Sequence, residues 1–376
     1  MPSRTSSAEA PAPARRRQWQ AARKLLAIRL DASGDVLMCT PALHALVGGG
    51  AALTLLSSPA GALVGARSHA VQAVMPYAAP WMKAATGATS SAHSAMVDTL
   101  RAQQFDGAVI FTTYSQSALP GAMLCWEAGI PLRLAYCREN PYALLTDWIP
   151  EAEPDSGVRH EVVRQLDLVA KVGYTTKRLP LTLAISGADY AAAVLALATE
   201  DIDPKADWLL LHPGATAASR RYPAWLWSEV VDLLGRRQTM PLVFSGSAEE
   251  AGLIARIQEN CSTRTVSLAG KLDFGGMAAA VRMATLLVSG NSAPAHVAAA
   301  CQTPVVDLYA LTNPQHTPWM VPCRVLSHPV PCQYCYRSIC PYAHHACLAG
   351  ISPAQVVDAV SDLLLECGHK ARAINL

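Results

Sequence analysis

The strongest constraint on this chain is a hydrophobic period that changes again and again along it. Short apolar runs of strand length alternate with longer stretches patterned like helices. In the first half the runs are KLLAIRL (24–30), AALTLLS (51–57), AVQAVMP (70–76), DGAVIFT (106–112) and PLRLAYC (131–137). In the second half they are DWLLLHPG (207–214), PLVFSGS (241–247), TVSLAG (265–270), TLLVSGN (285–291) and TPVVDLY (303–309). A run that is apolar at nearly every position reads as a strand covered on both faces, which implies a parallel sheet with helices above and below it. Helices are expected over 93–103, and at about 224–236, 248–260 and 274–284.

Two such series in 376 residues predict two α/β domains. The expected division is a first domain over 24–185, a second over 186–350, and a C-terminal helix and tail over 351–376. In SPAQVVDAVSDLL (352–364), Ser352 and Gln355 form a capping box and Pro353 suits the first helical position. Residues 138–160, rich in proline and acids, read as a long loop or a lead into a linker. A hydrophobic fraction of 51% against 15% charged residues excludes a disordered chain. A net charge of +2 argues against a nucleic-acid partner.

The start is different. Arg4, Arg15, Arg16, Arg17, Arg23 and Lys24 crowd there, opposed only by Glu9. Residues 1–23 read as a disordered basic arm, either a solvated tail or a segment weakly attracted to an anionic membrane surface. No secretory signal and no apolar run of about 18 residues is present. The odd count of 11 cysteines points to reduced thiols. The expected location is the cytoplasm, peripheral to the inner face of the membrane.

Three segments place polar residues at strand ends, where open α/β sheets bind ligands. In IRLDASGDVLMCTPAL (28–43), Gly34 allows close approach, and Asp35 either accepts a proton from an attacking hydroxyl or caps the next helix. In HPGATAASRRYPAWLWSEVVDLL (212–234), Thr216 and Ser219 can bond phosphate oxygens, and Arg220 and Arg221 can offset diphosphate charge. The alternative for the arginines is a solvated face. In SGNSAPAHVAAACQTPVVDLY (289–309), Asn291 and Ser292 open a helix of small residues whose N-terminus favours an anion, with His296 one turn in. The pair Asp201 and Asp203 imitates a metal motif but lies before a strand, not after one.

In order and spacing these segments, with the ending CLAGISPAQVVDAVSDLL, resemble the lipopolysaccharide heptosyltransferase family of glycosyltransferases. The resemblance runs with gaps from about residue 25 to 366. It implies the GT-B fold: α/β, two Rossmann-like domains facing across a cleft, with a C-terminal helix crossing back to the first domain. It implies an inverting transfer from a nucleotide-sugar donor, usually ADP-heptose, to a saccharide or lipid-linked saccharide acceptor such as lipopolysaccharide core. Residue by residue, it makes Asp35 the general base and puts Arg220 where the family usually has lysine. Asn291 and Ser292 become nucleotide-sugar contacts, and His296 matches the family histidine. Glu249 or Glu250 matches an acid that holds the ribose. Asn291 often stands as Asp in the family, Ala293 replaces a glycine and Tyr222 a tryptophan, which leaves the sugar open.

No cofactor is required by that reaction. CQYCYRSICPYAHHACL (332–348) nonetheless carries Cys332, Cys335, Cys340 and Cys347, with His344 and His345 close by. Such spacing can hold a structural zinc or iron, and packed reduced thiols are the alternative. The rival function is therefore a metal-binding structural or assembly protein on a degenerate glycosyltransferase fold. A further alternative is a heptosyltransferase with a protein acceptor.

Overall fold

The computed structural model describes residues 13–83 and 87–368. The chain divides into two compact units, residues 1–184 and 185–376.

In chain order the first unit contains α1 (Pro13–Ala21), β1 (Lys24–Arg29), α2 (Ser33–Val47), β2 (Ala52–Ser57), α3 (Pro59–Gly65), β3 (Ala73–Pro76), α4 (Ser90–Gln103), β4 (Gly107–Ile110), α5 (Leu119–Glu127), β5 (Leu132–Cys137), β6 (Asp147–Pro150) and α6 (Glu161–Lys171). Its six strands run in the order β3-β2-β1-β4-β5-β6, and every neighbouring pair is parallel. Leu26, Ile28, Leu56, Ala108 and Ile110 from three adjacent strands share one core with Leu100, Leu124 and Ile130.

The second unit contains α7 (Gly187–Thr199), β7 (Leu209–His212), α8 (Ala224–Arg237), β8 (Leu242–Phe244), α9 (Ala251–Glu259), β9 (Thr265–Ser267), α10 (Phe274–Met283), β10 (Leu286–Gly290), α11 (Ala293–Cys301), β11 (Val305–Leu308), β12 (Cys323–Leu326), α12 (Ala346–Ala349) and α13 (Pro353–Cys367). The order β12-β11-β10-β7-β8-β9, again all parallel, repeats the topology of the first sheet. Each unit is thus a doubly wound Rossmann-like sheet, with its order reversing between β1 and β4 or between β7 and β10. Crevices that take ligands open at such switch points, outside the carboxyl ends of the strands.

Several expectations need correction. The arm does not stay disordered over 13–23. Residues Pro13–Ala21 form α1, because Trp19 is fully buried and anchors it. Tyr174 meets the Trp19 ring edge-on at 6.5 Å, and a Cβ at Gly107 would fall 2.7 Å from that ring, so only glycine leaves room for it. Residues 1–12 of the expected arm lie outside the described residues. The stretch 138–160 is not all loop, since it includes β6 on the sheet edge. The capping box of Ser352 and Gln355 starts α13 as expected, and Val356, Val357, Val360, Leu363 and Leu364 join Trp227 and Leu234 in the core of the second unit. Among the described residues no helix is long and apolar enough to cross a membrane.

Removing the Trp19 ring leaves a cavity beneath α1. Trp19→Ala should destabilise the first unit by about 3–5 kcal/mol, read from chemical denaturation. A loss below about 1 kcal/mol would mean that α1 is not part of the folded unit.

Candidate active site

In the first unit the site begins at the end of β1. Arg29 is fully buried, and it is answered by Asp31 at 2.8 Å, Asp35 at 3.2 Å and Glu161 at 2.8 Å. Gly34 is buried in the first turn of α2. Asp35, in the same turn, accepts the Ala32 N–H at Oδ2, at 3.1 Å, and Arg29 at Oδ1. The capping geometry expected as one reading of Asp35 is therefore present, and its side chain keeps 19% exposure. Asp31 accepts Gln116 Nε2 at 2.6 Å. Burial, with the neighbouring negative charge of Asp35, pushes its carboxyl above the usual range even though Arg29 and Gln116 pull the other way.

In the second unit the switch point lies between His212, which ends β7, and Gly290, which ends β10. His212 is buried and shares a hydrogen bond with Ser245 Oγ at 3.0 Å through Nδ1. Its Nε2 lies 3.9 Å from Glu250 Oε2. Burial lowers the proton affinity of its imidazole against the pull of Glu250. A Cβ at Gly214 would stand 1.9 Å from Glu250 Oε1, so the carboxylate occupies the space that glycine leaves. The sheet end thereby joins Glu250 to His212, which sequence reasoning did not single out.

On the other side of the switch point, Asn291 is buried, and its amide pairs with the Ala310 backbone in both directions, at 3.4 and 3.5 Å. Ser292 sits at the N-terminus of α11 and makes no side-chain cap bond there. Ala293 is the first residue of that helix, and His296 is buried one turn further on. Arg220 is half-buried, and its Nη2 donates to Asn313 Oδ1 at 3.4 Å. Asn313 in turn bonds His316 at 2.7 Å. Arg221 donates to the Ala215 carbonyl at 2.7 Å, and Thr216 is exposed. Ser219 is committed elsewhere, because its hydroxyl donates to the Arg337 carbonyl at 2.7 Å and its N–H to Ser338 O at 3.0 Å.

The expected metal set is not assembled. Among the described residues no three His, Cys, Asp or Glu side chains converge to hold an ion. Cys332 Sγ lies 3.9 Å from His344 Nε2, and all 11 cysteines are free thiols. Burial and the nearby Cys332, Cys335 and Cys340 raise the Cys347 thiol. The segment is held instead by backbone bonds, Tyr334 N–H to Leu311 O and Tyr336 N–H to Thr312 O among them.

Sequence reasoning also passed over Asp307. It is fully buried on β11, and neither carboxylate oxygen has a hydrogen-bond partner. Burial holds its carboxyl well above the usual range, although Arg220 acts against this. A carboxylate inside an otherwise apolar strand run, TPVVDLY, was the available signal.

A doubly wound sheet carrying an acid, an arginine and an open helix start at its switch point suits an anionic nucleotide, and the second unit carries that set. The chain belongs to glycosyltransferase family 9 (heptosyltransferase), whose sequence profile matches residues 94–345. The chain is 26% identical over 226 residues to lipopolysaccharide heptosyltransferase 3 of Escherichia coli (strain K12), a match that covers 60% of this chain and 63% of that protein. It thus spans less than two thirds of the length of that relative. Its fold is similar to that of the glycosyl transferase family 9 protein from Veillonella parvula DSM 2008 (TM-score 0.76, 20% identity, 92% of this chain and 98% of that one). It is also similar to the ADP-heptose lps heptosyltransferase II of E. coli (TM-score 0.71, 21% identity, 91% and 99%). The two Rossmann-like units are the GT-B fold.

A buried carboxyl that prefers its proton in the folded state stabilises the protein at low pH, and that contribution is lost as pH rises from the ordinary carboxylate range through the raised folded value. Asp307→Asn should remove this dependence. The stability of the variant relative to the parent should rise with pH by up to about 1.4 kcal/mol per pH unit. Thermal unfolding of both proteins from pH 4 to pH 8 checks this, and parallel curves would refute it.

Proposed function

We propose that this chain is an inverting glycosyltransferase that moves heptose from ADP-heptose onto a lipopolysaccharide core or another surface glycan. The observation that carries the reading is the set of groups at the switch point of the second unit. There Glu250 sits beside Gly214, Arg220 is half-buried, and the N-terminus of α11 has no side-chain cap. A carboxylate suits ribose hydroxyls, while a guanidinium and free helix N–H groups suit a diphosphate. Family membership and the activities for which the relatives are named support heptose and lipopolysaccharide as the sugar and the acceptor class.

In this reading Asp35 takes the proton of the acceptor hydroxyl as that oxygen attacks the anomeric carbon. Arg220, Ser292 and the start of α11 stabilise the departing diphosphate. Thr216 and Arg221 lie on the same loop as Arg220, close enough in sequence to adjust it. We place the protein in the cytoplasm, on the inner face of the membrane, where the exposed Arg16 and Arg17 of α1 meet anionic lipid. The metal-bearing assembly reading is not carried forward, because its donor set does not converge.

Thermal shift against ADP-, UDP- and GDP-sugars tests the donor. ADP-heptose at about 100 times its Kd should add about 2.7 kcal/mol of stability, and a larger shift with a UDP- or GDP-sugar would replace the donor assignment. Arg220→Ala should weaken donor binding by about 10-fold or more, and Arg220→Lys should retain most of it, since charge rather than fork geometry dominates at a diphosphate. Parent-like affinity in Arg220→Ala would remove Arg220 from the site. Asp35→Asn should lower turnover by about 100-fold or more at saturating donor. Its melting temperature should fall but the fold should hold, because the amide oxygen can keep the bond to Ala32 while Arg29 retains Asp31 and Glu161.

A further inference from the structure

The guanidinium of Arg29 distributes its donors unevenly. Nη2 donates to Asp35 Oδ1 and Nε lies 2.8 Å from Asp31 Oδ2 in an ion pair, so two carboxylates stand on the same side of the guanidinium. Nη1 donates to Glu161 Oε1. One buried cation is thus shared by three carboxylates, whose negative charges stand close together when all are ionised. Uptake of one proton relieves that repulsion.

The three acids are not equal hosts for the proton. Glu161 has no exposure, and its Oε1 also accepts Gln165 Nε2 at 2.7 Å, so solvent does not reach it. Asp35 has a donor on each oxygen and lies in the first turn of α2, where the helix N-terminus favours the anion. Asp31 has 15% exposure at the carboxyl end of β1, and its groups are fixed by Arg29 and by Gln116 from the segment after β4. Ser58 faces only its backbone, donating to Asp31 O at 2.5 Å.

We propose that Asp31 and Asp35 form one proton-accepting pair on Arg29, in which Asp35 meets the acceptor hydroxyl and Asp31 holds the proton when the step ends. The proposal rests on the transfer reaction above and adds a residue to it. The acceptor O–H bond breaks and its proton passes to the pair. The freed oxygen pair forms the bond to the anomeric carbon. The bond from that carbon to the diphosphate oxygen breaks, and its electron pair leaves with the nucleoside diphosphate. Solvent later takes the proton from Asp31. The raised affinity of Asp31 for a proton, caused by burial and by the charges of Asp35 and Glu161, fits this end point.

The test compares the parent, Asp31→Asn and Gln116→Leu. Asp31→Asn should lower kcat by about 10-fold with the donor KM unchanged. Its acid limb in the kcat–pH profile should move to lower pH, because Asp35 loses a negative neighbour. Gln116→Leu removes a donor to ionised Asp31, so its acid limb should move to higher pH, and it keeps the test alive if Asp31→Asn fails to fold. A parent-like kcat and limb in Asp31→Asn, or an unmoved limb in Gln116→Leu, overturns the pair. Infrared titration of the ligand-free parent provides a readout without turnover. The C=O stretch of a protonated carboxyl should persist above the ordinary carboxylic range and be missing in Asp31→Asn, and its absence from the parent overturns the proposal. A parent that transfers no sugar while showing that band would sink the assigned activity but leave the pair standing.

Discussion

The first unit depends on keeping one buried cation paired. Arg29 ends a central strand, and its side chain is fully enclosed. An unpaired guanidinium in such a place costs several kcal/mol, so the carboxylates around it are obligatory. They come from three places in the fold: two residues past the end of β1, the first turn of α2, and the start of α6. Packing α2 beside α6 brings Asp35 and Glu161 to the same guanidinium. The core contact and the chemistry at the sheet end are therefore one arrangement, and moving any of these elements disturbs both. This also lets Asp35 act as a helix cap and, in the proposed reaction, still accept a proton. The cap fixes its orientation, and Arg29 fixes its charge.

The second unit solves a different problem with other means. A donor diphosphate brings negative charge, so the sheet end needs positive potential without a buried anion nearby. Across the last layer of this sheet the register aligns Asp307, Ser289 and His212, and His212 continues to Ser245 by hydrogen bond. Burial raises the Asp307 carboxyl well above the usual range and lowers the proton affinity of His212. Both shifts favour the uncharged forms. The charge that faces outward is left to Arg220, whose half-buried guanidinium is oriented by Asn313.

Strand positions were the most legible part of the fold. All ten apolar runs contain a strand, since burial on both faces leaves a compositional signature that needs no tertiary knowledge. The two strands passed over, β6 and β12, are short edge strands of four residues with partial exposure, and they lack that signature. The helix α1 was hidden for another reason. Its arginines and low apolar content read as solvated, and the single Trp19 that docks it acts through partners more than 80 residues away, Gly107 and Tyr174. The start of α13 was legible from its capping box, Ser352 with Gln355, and its apolar face from Val356, Val357, Val360, Leu363 and Leu364. At the candidate site, loop residues at strand ends were legible from position. Arg29, His212 and Asp307 were not, since each lies within or at the end of an apolar run and gains its meaning from what register and packing set beside it.

The Cys-rich segment has a structural part in the second unit that its cysteine spacing does not reveal. Its cysteines stand close enough to raise Cys347, yet no metal-holding set forms among the described residues. What the segment does supply is backbone hydrogen bonding. Ser338 and Arg337 accept from Ser219, and Tyr334 and Tyr336 donate to Leu311 and Thr312. These four bonds tie the loop that carries Arg220 to the loop that carries Asn313, and Arg220 and Asn313 are themselves hydrogen-bonded. A long, flexible arginine loses rotamer freedom when it is held for a ligand, and a loop fixed at both flanks reduces the further cost of holding it. Ser219 matters for the same reason. Its hydroxyl and N–H are spent on the brace, so in the proposed donor site the loop would meet the diphosphate with the guanidinium beside it.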